Sequence, residues 1–555
     1  MKDIVIKELE KVTHLKKQEL ENLIEIPPNP ELGDFAFPCF VLSKKEKKSP
    51  VEIASNLASK ISKKGFESVK ATGPYLNFFL SRKELASSVI SEILKNGDKY
   101  GSSTIGKGKT IVIDMSSPNI AKPFGIGHLR STIIGNSISE IGKFYGYKVV
   151  KINYLGDWGT QFGKLIVGFK KFGNKDKLKK DPIKHLLDIY VKVNSNEDLE
   201  DESREAFKEL ESGNKKHLKL WKEFKDLSLK KFNEIYRLLN ITFDVISGES
   251  LYNDKMSPVI SELEKKGLLE ESEGAKIVNL DKYGLGVALI EKSDGASLYT
   301  TRDLAAAIHR HKKYKADYLL YEVGSEQKLH FKQVFKILEL LGHKWASNMH
   351  HIDHGLYLGD DGKKFATRKG KTIFMESVLD ETRDLAKSEI YKREKLSSFE
   401  LEKRANRIAI AAIFYGDLKN YRSNDAVFDI KKFLDFEGNT GPYLLYTYAR
   451  AKSILRKAKY KKKKVSVESL TDTEKNLIIE LSSFPSVVKE AYEKYAPNLI
   501  ANYSYSLAQK FNEFYHKEKV IGSDSESFKL SLTDAFSQTL KNSLSLLGIS
   551  VLEKM

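Results

Sequence analysis

One cysteine, Cys39, stands in 555 residues. A lone thiol excludes internal disulfides and cysteine-based zinc clusters, and it fits a reducing cytoplasm. No run of about 18 apolar residues occurs, so no membrane-spanning helix is expected. The opening MKDIVIKELEKV mixes acidic and basic side chains at helical spacing and does not resemble a cleavable apolar leader. Internal repeats and long low-complexity tracts are missing as well. Acidic charge falls short: 75 Asp and Glu stand against 93 Lys and Arg, a net charge of +18. Such a balance favours a polyanionic partner, because each phosphate neutralised releases condensed counterions. Solvated lysine-rich helix faces account for it equally well.

What is present suffices for several cores. A hydrophobic fraction of 41% over 555 residues allows roughly three to four domains. Residues 1–100 read as a small α+β unit: helical patterns surround PPNPELGDFAFPCFVLSKK, and the unit closes with ATGPYLNFFLS, a strand bounded by Gly73–Pro74. Residues 105–385 alternate apolar strands (TIVIDM, KVVKINYLG, DYLLYEVG) with helices, the pattern of a doubly wound parallel sheet. A charged helical stretch at about 172–250 reads as an insertion packed beside that sheet. From residue 386 strand signals nearly vanish, and apolar residues recur at three- and four-residue spacing to the end, in a helical linker (386–435) and a helical bundle (436–555). KKKK at 461–464 reads as an exposed loop.

The segment SPNIAKPFGIGHLR, residues 117–130, joins a buried strand to a long helix. A helix N-terminus offers unpaired N–H groups and partial positive charge, and glycine lets an anion approach the backbone. Gly125 and Gly127 precede His128, and Lys122 and Arg130 add charge nearby. The spacing matches neither the P-loop nor the dinucleotide fingerprint. Taken alone, the turn fits a tight strand-to-helix connection with a satisfied histidine equally well.

In company the segment says more. SSPNIAKP followed by GHLRST resembles the signature of arginyl-tRNA synthetases, which are class I aminoacyl-tRNA synthetases. NYLGDWGTQFG (153–163), GLGVALIEKSDGASLYTTRDLAAA (284–307), GSEQKLHFKQVF (324–335) and FEGNTGPYLLYTYAR (436–450) follow in the family's order. PELGDFAFPCF resembles its N-terminal domain and APNLIANYSYSLAQKFNEFY its anticodon-binding domain, so the resemblance runs over essentially the whole chain. Two positions depart from the pattern. Gly125 replaces the first histidine of the His-Ile-Gly-His signature, and the Lys-Met-Ser-Lys-Ser signature reads Lys364-Phe365-Ala366-Thr367-Arg368. Loss of one donor to a developing oxyanion commonly costs about 10²–10³ in rate. Gly125 leaves room there for a water or for Lys122.

The resemblance implies a Rossmann-type catalytic domain that activates L-arginine with ATP and transfers it to the 3′ end of arginine tRNA, releasing AMP and pyrophosphate. It assigns Lys122, His128 and Lys364 to catalysis. ATP would meet Lys122, Gly125, Gly127, His128, Lys364, Thr367 and Arg368, with Mg²⁺ held mostly by nucleotide oxygens and water. Arginine would meet Ser117, Pro118, Asn119, His128, Tyr299, Asp303 and Gln327. Tyr299 and Asp303 are four apart, so a helix starting near Thr300 aligns them, and a carboxylate matches a planar guanidinium with two parallel bonds. Without the resemblance, an ordinary ion pair and a core aromatic explain those two residues. Asp157 and Gln161 are candidate site residues, with Trp158 and Phe162 as packing beneath. Asn29, Phe35, Phe37 and Lys44 lie in the unit expected to meet the outer corner of tRNA. Tyr443, Tyr446 and Tyr448 are candidates at the anticodon. A cytoplasmic monomer is expected. The alternatives are a catalytically weakened or inactive relative that binds tRNA, and a class I enzyme for another amino acid.

Overall fold

The computed structural model describes residues 2–292, 299–359, 362, 375–392, 394–463 and 465–555. The N-terminal unit contains α1 (Lys2–Thr13), α2 (Lys17–Leu23), β1 (Phe35–Pro38), α3 (Phe40–Glu46), α4 (Pro50–Lys60), β2 (Phe66–Thr72) and β3 (Tyr75–Leu80). Its strands pair antiparallel in the order β1-β3-β2. Gly73, at φ +57°, and Pro74 make the hairpin turn, and Leu76, Phe78 and Leu80 enter the core at period two.

After α5 (Arg82–Asn96) come β4 (Thr110–Ser116), α6 (Ile126–Phe144), β5 (Lys148–Leu155) and α7 (Gln161–Phe172). The charged stretch forms α8 (Lys175–Lys180), α9 (Pro182–Asn194), α10 (Glu200–Glu211) and α11 (Lys215–Leu238). It is followed by β6 (Val245–Gly248) and α12 (Met256–Lys265). A small antiparallel sheet of β7 (Glu270–Ser272), β8 (Ala275–Asn279) and β9 (Val287–Glu291) then intervenes. The reading by strand and helix alternation did not anticipate it, because these strands are short and carry exposed charge. The chain returns through α13 (Tyr299–Tyr314), β10 (Tyr318–Gly324), α14 (Lys328–Leu341) and β11 (Met349–His354).

The central sheet is wholly parallel, in the order β11-β10-β4-β5-β6. Its two halves meet between β4 and β10, where the Thr110 N–H donates to the Asp317 carboxylate at 2.7 Å across 207 residues of sequence. Helix α6 lies over this junction. Leu129, Ile133, Ile134, Ile138 and Ile141 form its buried stripe, and Gly135 permits the close crossing: a Cβ there would come within 2.3 Å of Met115 Cβ.

Beyond the sheet, β12 (Tyr357–Leu358) pairs with β13 (Ala426–Val427). The rest is helical: α15 (Met375–Tyr391), α16 (Ser398–Leu418), α17 (Ile430–Phe433), α18 (Gly441–Lys457), α19 (Asp472–Lys494), α20 (Pro497–Lys517) and α21 (Glu526–Leu546). A continuous apolar core joins these helices to α6, with Ser137 Oγ donating to the Leu546 carbonyl at 2.7 Å. Lys461, Lys462 and Lys463 are exposed in a loop, and Lys464 lies outside the described residues.

Candidate active site

A cavity of about 420 Å³ opens at the carboxyl ends of β4, β5 and β10, where ligands gather in open parallel sheets. Three carboxylates from distant parts of the chain line it: Asp114 of β4, Glu249 just after β6, and Asp303 of α13. Each has a cationic or histidine companion. Arg310 meets Asp114 at 2.9 Å, and both are almost fully buried. Arg302 stands 3.6 Å from Glu249, and His330 lies 2.7 Å from Asp303. Tyr154 and Tyr321 flank the Arg310 guanidinium at 4.7 and 5.6 Å.

The companions do not fully neutralise the acids. Burial raises Asp114 above the ordinary carboxylate range although Arg310 opposes the shift. Burial also pushes Glu249 up to about 7, against Arg302 and aided by the charges of Asp303 and Asp157. Carboxylates in that condition gain from an entering cation, which relieves both the desolvation and the mutual repulsion.

Of the residues expected at arginine, Ser117, Asn119, Tyr299, Asp303 and Gln327 line this one cavity. Tyr299 is the first described residue of α13 and 67% exposed. Pro118 contributes through its backbone, its carbonyl accepting the Gly156 N–H at 3.1 Å. Gly156 is required at that approach, since a Cβ would fall 2.1 Å from Asn119 Oδ1. His128 does not line the cavity. It belongs to the neighbouring helix start.

There Gly125 precedes the first turn of α6, and the Gly125 N–H donates to His128 Nδ1 at 3.1 Å. An occupied Nδ1 leaves the proton on Nε2, which therefore serves as a donor. Burial, and then the charge of Lys122, lowers the His128 pKa to about 4, so the ring is neutral at physiological pH. Lys122 Nζ rests 5.2 Å from the ring centre of Tyr190 in the charged insertion. Ala121 holds φ +60°, a strained value for a residue with a Cβ, and its N–H donates to Ser228 Oγ at 2.9 Å. Gly127 is exposed on the first turn.

Arg130 does not add charge here. It lies two residues beyond His128, about 200° around the helix. Its buried guanidinium pairs with Asp417 at 3.2 Å and donates to the carbonyls of Leu356 and Asn424 at 3.0 and 2.8 Å. Asp157 is also structural. It is fully buried, pairs with Lys225 and accepts the Ser250 N–H at 2.9 Å, bracing the loop that carries Glu249. Trp158 and Phe162 pack in the core, and Gln161 begins α7. Lys364, Thr367 and Arg368 lie outside the described residues.

The chain matches three family descriptions in succession: the arginyl-tRNA synthetase N-terminal domain over residues 1–80, the class I (R) tRNA synthetase catalytic domain over 89–430, and the DALR anticodon binding domain over 444–555. It is 48% identical to an arginine–tRNA ligase of Clostridium perfringens, with 100% of both chains covered. The chain belongs to the arginyl-tRNA synthetase family. An arginine–tRNA ligase of Ligilactobacillus salivarius is 46% identical, over 98% of this chain and 97% of its own. Among solved structures, the Plasmodium falciparum arginyl-tRNA synthetase superposes with a TM-score of 0.78 at 25% identity, covering 96% of this chain and 94% of that one. The Thermus thermophilus arginyl-tRNA synthetase shares the fold, with a TM-score of 0.80 at 23% identity and 96% of each chain covered.

In this synthetase the candidate RNA residues divide by exposure. Phe35 and Phe37 are core residues of the N-terminal unit, whereas Asn29 and Lys44 are exposed. Tyr448 is buried and Tyr443 OH accepts from Asn512 at 2.8 Å. Tyr446 reaches the surface, and Arg450 lies between its ring and that of Tyr515, at 5.0 and 5.1 Å.

Proposed function

We propose that this chain joins L-arginine to the 3′ end of arginine tRNA, with ATP as the activating substrate. The cavity carrying Asp114, Glu249 and Asp303 beside the start of α6 supports that reading more than any other feature. Arginine enters with its guanidinium toward the carboxylates and its carboxylate toward Ser117 and Asn119. Lysine, a compact ammonium, would leave part of that anionic wall unpaired, a penalty of about 1–3 kcal/mol.

The arginine carboxylate attacks the α-phosphorus of ATP, forming the arginyl-adenylate and releasing pyrophosphate. A terminal ribose hydroxyl of the tRNA then attacks the activated carbonyl, releasing AMP. The protein supplies alignment and charge. His128 donates from Nε2 without itself titrating, the α6 N-terminus faces the phosphates, and Lys122, Lys364, Thr367 and Arg368 are assigned to the same polyphosphate. Gly125 and Gly127 allow close backbone approach. Among the described residues no group of three or more His, Cys, Asp or Glu side chains forms a metal site. Mg²⁺ is assigned to the ATP phosphates, held mostly by nucleotide oxygens and water.

We assign residues 1–100 and 436–555 to tRNA contact, 105–385 to chemistry, and 386–435 to the link between them, in a cytoplasmic monomer. No described helix is long and apolar enough to cross a membrane. The test is Asp303→Asn. It should lower kcat/KM for arginine by about 10²–10³-fold while leaving tRNA affinity within about twofold. Undiminished charging would remove Asp303, and with it the cavity, from the site.

A further inference from the structure

Asp303 is held by a neighbour in the wall of the same cavity. His330 stands in the first turn of α14, and its Nε2 meets Asp303 Oδ2 at 2.7 Å. Both side chains are largely buried, at 22% and 20% exposure. The histidine ring is itself fixed: it packs edge-on to Phe331 at 5.3 Å, and Phe331 packs against Tyr321 at 5.0 Å and His351 at 4.7 Å. His351 in turn bonds the Val323 carbonyl at 3.0 Å. The first turn of α14 is thereby locked to β10, the strand that carries Tyr321 and Val323 into the cavity.

An aspartate anchored through one oxygen has a defined carboxylate plane; unanchored, it rotates between wells. Arg302 and Arg310 share the neighbourhood and would attract a freed carboxylate. Among the described residues no other hydrogen bond to the Asp303 carboxylate occurs.

We propose that His330 is a positioning residue for arginine selection: by taking Asp303 Oδ2 it fixes the carboxylate plane that meets a planar guanidinium. The inference rests on the reading of this cavity as the arginine pocket. Its consequence is selectivity as well as affinity. A fixed plane suits the two-pronged guanidinium, whereas a rotating carboxylate serves a spherical ammonium nearly as well.

The experiment compares His330→Ala, His330→Gln and Asp303→Asn in the full chain. Charging kinetics with arginine and with lysine are measured beside thermal melting. His330→Ala should raise the arginine KM about tenfold and narrow the arginine-to-lysine ratio, with kcat, ATP KM and melting temperature nearly unchanged. Glutamine, whose side-chain amide can donate from near the Nε2 position, should recover most of the loss. An unchanged arginine KM in His330→Ala, beside a defective Asp303→Asn, overturns the role of His330 alone. So does a glutamine variant no better than alanine, or a loss shared equally by ATP KM and melting temperature. Full charging by Asp303→Asn overturns the pocket reading itself.

Discussion

His128 keeps one proton because Gly125 N–H already occupies its other nitrogen. The folded pKa near 4 lies below the ordinary 6.5, so the unfolded chain binds a proton at mildly acid pH that the folded chain refuses. The stability tied to this neutral ring is complete above about pH 6.5 and declines as the pH falls toward 4. Allowing for its partial exposure, the loss is about 2 kcal/mol by pH 4.5. His128→Asn retains an acceptor for Gly125 N–H but cannot titrate. Denaturation at pH 7 and pH 4.5 should show a smaller acid penalty in that variant than in the parent. The lining of the cavity was legible in the sequence where it sat inside contiguous motifs, as Ser117, Asn119, Tyr299, Asp303 and Gln327 do. Asp114 left one weak trace, an acid within the buried strand TIVIDMS. Glu249 left none, because SGES has ordinary turn composition and acquires meaning only when β6 joins the sheet edge. Arg130 was misjudged because proximity in sequence was not corrected for rotation around the helix.

Helix α6 sets two preferences against each other at Gly135. Alanine in a helix interior is favoured over glycine by about 1 kcal/mol. Overpacking a close contact costs about 1–3 kcal/mol, and the added carbon would stand 2.3 Å from Met115 Cβ. The clash should win. Gly135→Ala is expected to lower stability by up to about 2 kcal/mol in denaturant melts. Met115→Ala in the same background should not relieve it, since the offending Cβ remains. Helices and central strands were readable because their apolar periods persist over several turns or whole strands. The three-stranded sheet at 270–291 was not, since its strands run only three to five residues, β7 is wholly exposed, and the adjacent Ile277 and Val278 of β8 are both buried, which breaks the alternation.

At the scale of the molecule, Arg422 fastens the helical half to the sheet. Its Nε donates to the Tyr495 carbonyl at 3.1 Å, and its Nη1 reaches the Asp353 carbonyl and carboxylate at 2.7 and 3.1 Å. Tyr495 ends α19 at φ 48°, a conformation that persists in a residue with a side chain only when its surroundings hold it. Arg422→Gln should cost about 1.5–3 kcal/mol, the scale of a lost charge-assisted hydrogen bond, since Lys328 still pairs with Asp353 at 2.9 Å. Hydrogen exchange should quicken at Tyr495–Ala496 and at the end of β11. Arg422→Lys should rescue little, because one ammonium cannot span those acceptors. The helical half was legible as helices, but its fastening was not, since residues 353, 422 and 495 share no motif.

The Thr110–Asp317 bond also fixes a timetable. A ribosome that has just delivered β4 can offer it β5 almost at once, but its other flank must await a partner 207 residues downstream. At about 5–20 residues per second, that delay lasts about 10–40 s. Throughout, Ile111, Val112 and Ile113 present an apolar margin to whatever else in the cell can bind a strand. The central strand of the finished enzyme is thus a vulnerable segment of the nascent one.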